Sequence, residues 1–378
     1  MQVSPPERGQ AMPKVLNLNR GAEEGVRELL KFLLESGRVK GVLTLSKLNK
    51  NGAVAYLLIT DPAALEDAVP LFPLMPANAA KLLSRLTLTG PATEPIAAVV
   101  RPCELRAFIE LVKRSQGSME NMLFLSSTCG GVYPLELATD GGIAEKLGQY
   151  WEAIGKGDIA PEVRPTCRAC VHFSPYAADI TVSLIGSKSV GKECQLLLNT
   201  DKAEQLVAGF AGEVGEGKVE SPELNQFRGK SEAEREKLFS EVRVEGIKGL
   251  VDTFGKCIGC HGCSKVCPIC YCKLCFFESE VGEYKPTGYD AELRERGGLR
   301  VPPGTIFYQL GRLTHVSVSC VGCGMCTDVC PANIPVATIF DKTSQSVQEI
   351  FDYLPGKDAT EPIPLITFER EELSYVEE

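Results

Sequence analysis

The sequence predicts an α/β domain of alternating strands and helices, with a smaller appended unit held together by metal. Three observations predict it. Apolar runs of strand length alternate with stretches of helical periodicity over roughly the first 210 residues. Hydrophobic residues make up 44% and charged residues 24% of the 378, as in a globular chain with room for two or three domains. Eleven of the 16 cysteines crowd between Cys257 and Cys330, in sequence poor in long apolar runs. Such a segment cannot fold on hydrophobic burial alone, so bound metal must supply the missing energy.

The elements follow in order. Residues 1–20 contain three prolines and read as an N-terminal tail. The α/β domain is expected over 21–210. Val26, Leu29, Leu30, Leu33 and Leu34 repeat at helical spacing across 25–36, and Gly37 stops the helix. Residues 39–45 and 53–60 read as strands around Asn51-Gly52, a hairpin signal. A helix over 77–86, a strand over 95–100 ended by Arg101-Pro102, a helix over 104–113 and a strand over 122–126 come next. Then follow a helix over 143–154, a loop holding Cys167 and Cys170, strands over 179–185 and 194–199, and a helix over 201–207. The Gly-, Glu- and Ser-rich stretch 211–230 reads as a linker and 231–239 as a charged helix, together a connecting segment over 211–250. The cysteine-rich unit is expected over 251–340, and a helix with an acidic tail over 341–378.

Composition excludes several classes of function. A net charge of −9 opposes nucleic-acid binding, which needs a basic surface. No apolar run approaches the ~18 residues of a spanning helix. The opening MQVSPPERGQ lacks the apolar centre of a secretory signal. Reduced thiols in a cytoplasmic setting therefore explain the cysteines better than disulfides do.

Two runs carry the strongest signal. Cys257-Ile-Gly-Cys260-His-Gly-Cys263-Ser-Lys-Val-Cys267-Pro is repeated as Cys320-Val-Gly-Cys323-Gly-Met-Cys326-Thr-Asp-Val-Cys330-Pro. The C-x2-C-x2-C-x3-C-P spacing is that of bacterial ferredoxins, in which the fourth cysteine of each run serves the other 4Fe–4S cluster. One cluster is thus expected on Cys257, Cys260, Cys263 and Cys330, the other on Cys320, Cys323, Cys326 and Cys267. Gly259, Gly262, Gly322 and Gly324 permit the tight turning. Two zinc sites are the plain alternative. Cys270, Cys272 and Cys275 are left over, as part of a further cluster lacking a fourth ligand or as alternative ligands; spacing leaves both open. His261, inside a cluster loop, reads as a tuning residue rather than a ligand, and His315 as structural.

Five cysteines lie earlier. Cys103 follows a strand end and precedes a helix start, where a dipole stabilises a thiolate. Cys129 follows the strand over 122–126, and the C-termini of neighbouring strands converge in space. With Cys167-Arg-Ala-Cys170 they make a four-thiolate site from three loops; zinc and unrelated buried thiols are the alternatives. Cys194, within a strand pattern, reads as a buried small hydrophobe. The loop Gly186-Ser-Lys188-Ser-Val-Gly191-Lys192 offers amides and lysines to a phosphate, or is a plain turn.

Arg101-Pro-Cys103-Glu-Leu-Arg106-Ala, Ser127-Thr-Cys129-Gly-Gly and Cys167-Arg-Ala-Cys170-Val-His172-Phe-Ser-Pro-Tyr-Ala-Ala-Asp179-Ile resemble the beta-subunit family of coenzyme F420-reducing hydrogenase and formate dehydrogenase. The helix–turn–strand reading GVRELLKFLLESGRVKG also resembles that family, as does the stretch after the C-x2-C pair. The appended ferredoxin-like segment resembles the longer, formate-dehydrogenase-type members. The resemblance implies FAD in the α/β domain beside a 4Fe–4S cluster on Cys103, Cys129, Cys167 and Cys170, hence three clusters or more. It implies electron transfer between a two-electron carrier such as F420 and a catalytic subunit that bears the Mo, W or Ni site. Where the family's helix usually opens on a Gly-Gly pair, this chain has Gly21-Ala-Glu-Glu-Gly25. His172 reads as structural and Asp179 as a backbone cap. The second expectation is a flavin-free ferredoxin-like adaptor working with heterodisulfide-reductase-like subunits; a zinc-ribbon scaffold is the third.

Overall fold

The computed structural model describes residues 14–48, 53–187, 190–216, 221–279, 285–298 and 304–365. Its centre is an eight-stranded mixed sheet among the described residues. The strands are β1 (Lys14–Leu18), β2 (Gly41–Lys47), β3 (Val54–Ile59), β4 (Ile96–Val99), β5 (Met122–Ser127), β6 (Ile180–Ser183), β7 (Cys194–Leu198) and β8 (Glu213–Glu216). Their order is β3-β2-β4-β5-β6-β7-β1-β8. The inner strands β2, β4, β5 and β6 run parallel, and the outer strands pair antiparallel.

Parallel strands are covered on both faces, which is why β2 and β5 read as nearly continuous apolar runs. Alternate residues serve opposite faces. Ala97, Val99, Leu123 and Leu125 pack under helix α1 (Ala22–Glu35) and helix α4 (Gly142–Gly155). Ala98, Met122 and Phe124 pack under helices α2 (Ala79–Thr87) and α3 (Pro102–Lys113). The result is a three-layer α/β arrangement. Asp179, the expected cap, accepts the Phe124 amide at 2.8 Å and the Thr200 hydroxyl at 2.9 Å. Cys194 is buried in the core, 1% exposed.

The remaining helices are α5 (Pro165–Arg168), α6 (Asp201–Val207), α7 (Pro222–Glu241), α8 (Gly246–Phe254), α9 (Gly262–Val266), α10 (Pro286–Arg296), α11 (Thr305–Val316), α12 (Met325–Asp328) and α13 (Val336–Ile350). Phe254, Ile269, Val316, Ile334, Ile339 and Phe340 form a small core among the last of these. The chain then returns to the sheet region. Glu110 on α3 accepts the Tyr353 hydroxyl at 2.6 Å and the Gly356 amide at 2.8 Å. Gly356 has φ +69°, and a Cβ there would collide with the Arg106 backbone, so this docking needs glycine.

Several expectations are corrected. The expected tail includes strand β1, whose partners β7 and β8 come from far along the chain. The linker expected over 211–230 instead contains β8 and the start of α7. Helix α7 is polar nearly all round and buries little beyond Leu224, Phe227 and Ser231, so no apolar stripe announced it. The loop holding Cys167 contains a helical turn, α5, and Cys103 lies inside the first turn of α3 rather than before it. Asn51-Gly52 lies outside the described residues, between strands that do pair antiparallel. No helix among the described residues is long and apolar enough to cross a membrane.

Candidate functional site

Cys257, Cys260, Cys263 and Cys330 line one cavity, beside Ile258, His261, Tyr308 and Gln309. Gly259 (φ +68°) and His261 (φ +56°) turn the chain tightly so that three thiols of one run face inward. Cys330 arrives from the other run, and its Sγ accepts the Ile334 amide at 3.4 Å. The Gln309 side-chain amide donates to the sulfurs of Cys257 at 3.7 Å and Cys263 at 3.8 Å. His261 stacks on Tyr308 with ring centroids 4.3 Å apart.

Cys267, Cys320, Cys323 and Cys326 line a second cavity with Arg312, Val316, Met325 and Phe340. The last cysteine of each run therefore stands with the opposite run. Gly324 has φ +82°, and a Cβ there would collide with the Thr166 hydroxyl, so glycine lets this loop reach α5.

Cys103, Cys129, Cys167 and Cys170 lie near enough to act on one another's charge, beyond the C-terminal ends of β4 and β5. The Cys129 sulfur accepts the Gly131 amide at 3.4 Å, and a Cβ on Gly131 would lie 2.9 Å from that of Cys167. Cys103, Cys167 and Cys323 all pack on one apolar patch made by Met75, Val132 and Met325. Arg164 joins the two groups: it ion-pairs with Asp328, and it donates to the Cys323 carbonyl at 3.3 Å and the Met75 carbonyl at 3.3 Å.

Burial dominates the electrostatics of these thiols. It raises Cys129 to about 11 and Cys170, Cys320 and Cys323 to about 12, and it pushes Cys103 well above its usual range. The dipole stabilisation expected for a Cys103 thiolate is thus outweighed by desolvation and by the carboxylate of Glu104. Such thiols deprotonate when a metal takes the proton's place.

Cys270 hydrogen-bonds with Cys267, lowering Cys267 and raising itself, whereas Cys272 is exposed and Cys275 half-buried. Among the described residues, no group of three or more His, Cys, Asp or Glu, these included, is placed for a single metal ion. The two ferredoxin-spaced quartets surround cavities instead.

A further cavity lies at the ends of β4 and β5, lined by Pro70, Leu71, Arg101, Ser126, Ser127, Cys129, Gly131, Tyr150 and Leu184 among others. Arg101 donates to the carbonyls of Phe72 at 2.6 Å and Leu74 at 2.7 Å, and the Tyr150 hydroxyl donates to the Gly131 carbonyl at 2.9 Å. Sequence reasoning missed Arg101 and Tyr150 as cavity residues. Arg101 sits directly after a strand in a chain of α/β pattern, which is a usable signal for a ligand-facing position.

The loop read as a phosphate site is divided. The Gly186 amide is taken by the Ile154 carbonyl at 2.9 Å. Gly191 and Lys192 line an open groove with Arg20, Gly21, Glu24 and Glu28 at the start of α1. There the Ala22 amide donates to the Val190 carbonyl at 2.8 Å. Lys188 lies outside the described residues.

No protein-family model matches the chain. It is similar over nearly its whole length to the F420-dependent formate dehydrogenase subunit beta of Methanocaldococcus jannaschii, 28% identical over 393 residues, covering 93% of this chain and 96% of that one. It is also similar to the F420-dependent formate dehydrogenase 1 subunit beta of Methanococcus maripaludis, 28% identical with 89% and 91% covered. The sulfhydrogenase 2 subunit beta of Pyrococcus furiosus is 28% identical over 157 residues, covering 34% of this chain and 46% of that one. Among solved structures, a chain of the F420-reducing [NiFe] hydrogenase complex from Methanosarcina barkeri matches with a TM-score of 0.45 and 14% identity, covering 65% of this chain and 97% of that one. The resemblance read from the motifs thus holds at the level of whole chains, and the relatives are subunits of oxidoreductases.

Proposed function

We propose that this chain is the beta-type electron-transfer subunit of a multisubunit oxidoreductase. It links a two-electron carrier such as coenzyme F420, through FAD and three 4Fe–4S clusters, to a catalytic subunit of formate dehydrogenase or hydrogenase type. One observation carries the reading: two ferredoxin-spaced quartets each surround a cavity, and cysteines of the sheet region pack beside one of them. Cys129 lines the cavity beside Arg101, and Cys103 and Cys167 share an apolar patch with Cys323. Cys260, of the Cys257 quartet, is exposed.

The donor chemistry suits iron–sulfur clusters, because four thiols around a cavity match a cubane's four corners. When bound, FAD supplies exchange between two-electron and one-electron carriers, and the clusters supply one-electron transfer. The chain's own residues do the rest. Backbone amides such as those of Gly131 and Ile334 donate to sulfur and favour its anionic form. Tyr150 and the strand ends shape the first cavity, and Arg101 places a fixed positive charge at its wall. Gly191 and Lys192, with Gly186 and Lys188 nearby in sequence, are the proposed contacts for the nucleotide end of the flavin.

A second reading has an observation in its favour. The Val190 carbonyl occupies an amide at the start of α1, and Gly186 is already paired, which suits a flavin-free adaptor. Partners of heterodisulfide-reductase type belong to that reading. Anaerobic purification with iron, sulfide and flavin analysis separates the two. The first expects ~12 Fe with bound flavin, the second the same iron and no flavin. Zinc in place of iron would overturn both.

A further inference from the structure

Arg312 is a buried cation between the two ferredoxin-spaced runs. It is 4% exposed. It lines the cavity of Cys267, Cys320, Cys323 and Cys326, yet donates at 3.2 Å to the carbonyl of Cys263, a member of the other ferredoxin-spaced quartet. Its second terminal nitrogen donates at 3.2 Å to Gln309 Oε1, whose amide in turn reaches the sulfurs of Cys257 and Cys263. The guanidinium lies over the rings of Phe340 at 4.9 Å and Tyr308 at 5.7 Å. Its Nε has no hydrogen-bond partner.

Of the three other buried arginines, Arg101 has Glu104 and Arg164 has Asp328, while Arg106, near Cys170, donates to the Pro355 carbonyl at 2.8 Å. Among the described residues, Arg312 forms no ion pair with a carboxylate. A guanidinium cannot shed its proton, and a buried cation without an anion is costly. The negative charge facing it comes from thiols, chiefly Cys263 and Cys267 of the two quartets and the neighbouring Cys270.

We propose that Arg312 is a positioning residue that sets the reduction potentials of the two ferredoxin-like clusters together, as one fixed cation shared between them. This rests on the reading that both quartets hold clusters. An added electron makes a cluster more negative, and a nearby cation in a low-dielectric interior favours that state on either side. Arg312 does not line the cavity beside Cys129 and is not among the main charges acting on Cys103, Cys129, Cys167 or Cys170. Gln309 extends the effect by hydrogen-bonding two sulfurs of the outer quartet while Arg312 orients its amide.

The test is a redox titration of the anaerobically purified, fully loaded chain, followed by electron paramagnetic resonance. In Arg312→Met both ferredoxin-like centres should move to more negative midpoint potentials, with the Cys103 quartet's centre unmoved. Arg312→Lys should return part of the shift, because charge is kept and the planar fork is lost. Unchanged midpoints in Arg312→Met at full iron would overturn the proposal. So would equal shifts in the two variants, or loss of the outer clusters from both, which would make Arg312 merely structural. If the wild-type chain itself shows fewer than two centres on the Cys257–Cys330 segment, the underlying reading fails instead.

Discussion

In the sheet region, α1 alone buries Val26, Leu29, Leu30, Leu33 and Leu34 against strands covered on both faces. Between Cys257 and Cys330, eight cysteines line two cavities. The first region holds its geometry by dry packing, where each methylene buried contributes about 0.8 kcal/mol. The second has a core of few buried apolar residues, and on the proposed reading metal–thiolate bonds hold it. The Cys103 quartet sits where the two meet: its loops are placed by the sheet, and its chemistry matches the second region. Stability and electron transfer are therefore separable by experiment.

The sharpest break would come from removing metal. Stripping iron with a chelator should unfold the 256–336 segment and leave the sheet region folded, checked by proteolysis and circular dichroism. Structural metal supplies on the order of 10 kcal/mol or more to small metal-built units. If the segment resists protease without metal, the contrast drawn here is wrong.

A smaller loss tests the junction. Cys167→Ser should lower iron from ~12 to ~8 per chain while the sheet region keeps its thermal transition. Loss of zinc with iron unchanged would assign this quartet to a different metal. Unchanged metal would make the four thiols unrelated.

These regions also differ in how far the sequence revealed them. The ferredoxin-spaced quartets were legible because their cysteines have two or three residues between them, and the structure gathers the expected partners around common cavities. The inner strands were legible from apolar runs, and α1 from its period. Strands β1 and β8 were not, because they pair through backbone with partners remote in sequence. Helix α7 was hidden by its polar surface. Arg312, Arg164 and Gly356 act across long chain separations, and no local pattern marks an arginine that will be buried beside thiols.

The reverse perturbation strikes the packed region alone. Leu29 is fully buried in the main core. Leu29→Ala should destabilise the sheet region by about 2–5 kcal/mol, read by urea unfolding. Iron content of the folded protein should stay unchanged. A loss of iron from the Cys257 quartet in this variant would mean the two regions fold as one unit.

The smallest effect is a dependence on pH confined to the packed region. Glu23 lies in the first turn of α1, and its Oε2 accepts the Leu71 amide at 3.1 Å while its Oε1 has no partner. Burial raises this carboxyl to about 7, against the lowering influence of the Leu71 amide and of Arg27, Lys47 and Arg101. The native chain therefore holds the proton up to about that pH, whereas an unfolded glutamate loses it near ~4.3. Between those values the native state binds more protons than the unfolded state, so stability falls as pH rises and levels off above about 7. The fall should be roughly 2–3 kcal/mol between pH 5 and 7.5 for the sheet region, measured by urea unfolding. Glu23→Gln keeps a neutral acceptor for the Leu71 amide and should remove this part of the slope. At neutral pH the variant should match or exceed the wild type. An identical slope in both proteins would show that Glu23 is already ionised in the folded chain. The cysteine-rich segment should respond to neither change, because Glu23 belongs to the packed sheet region.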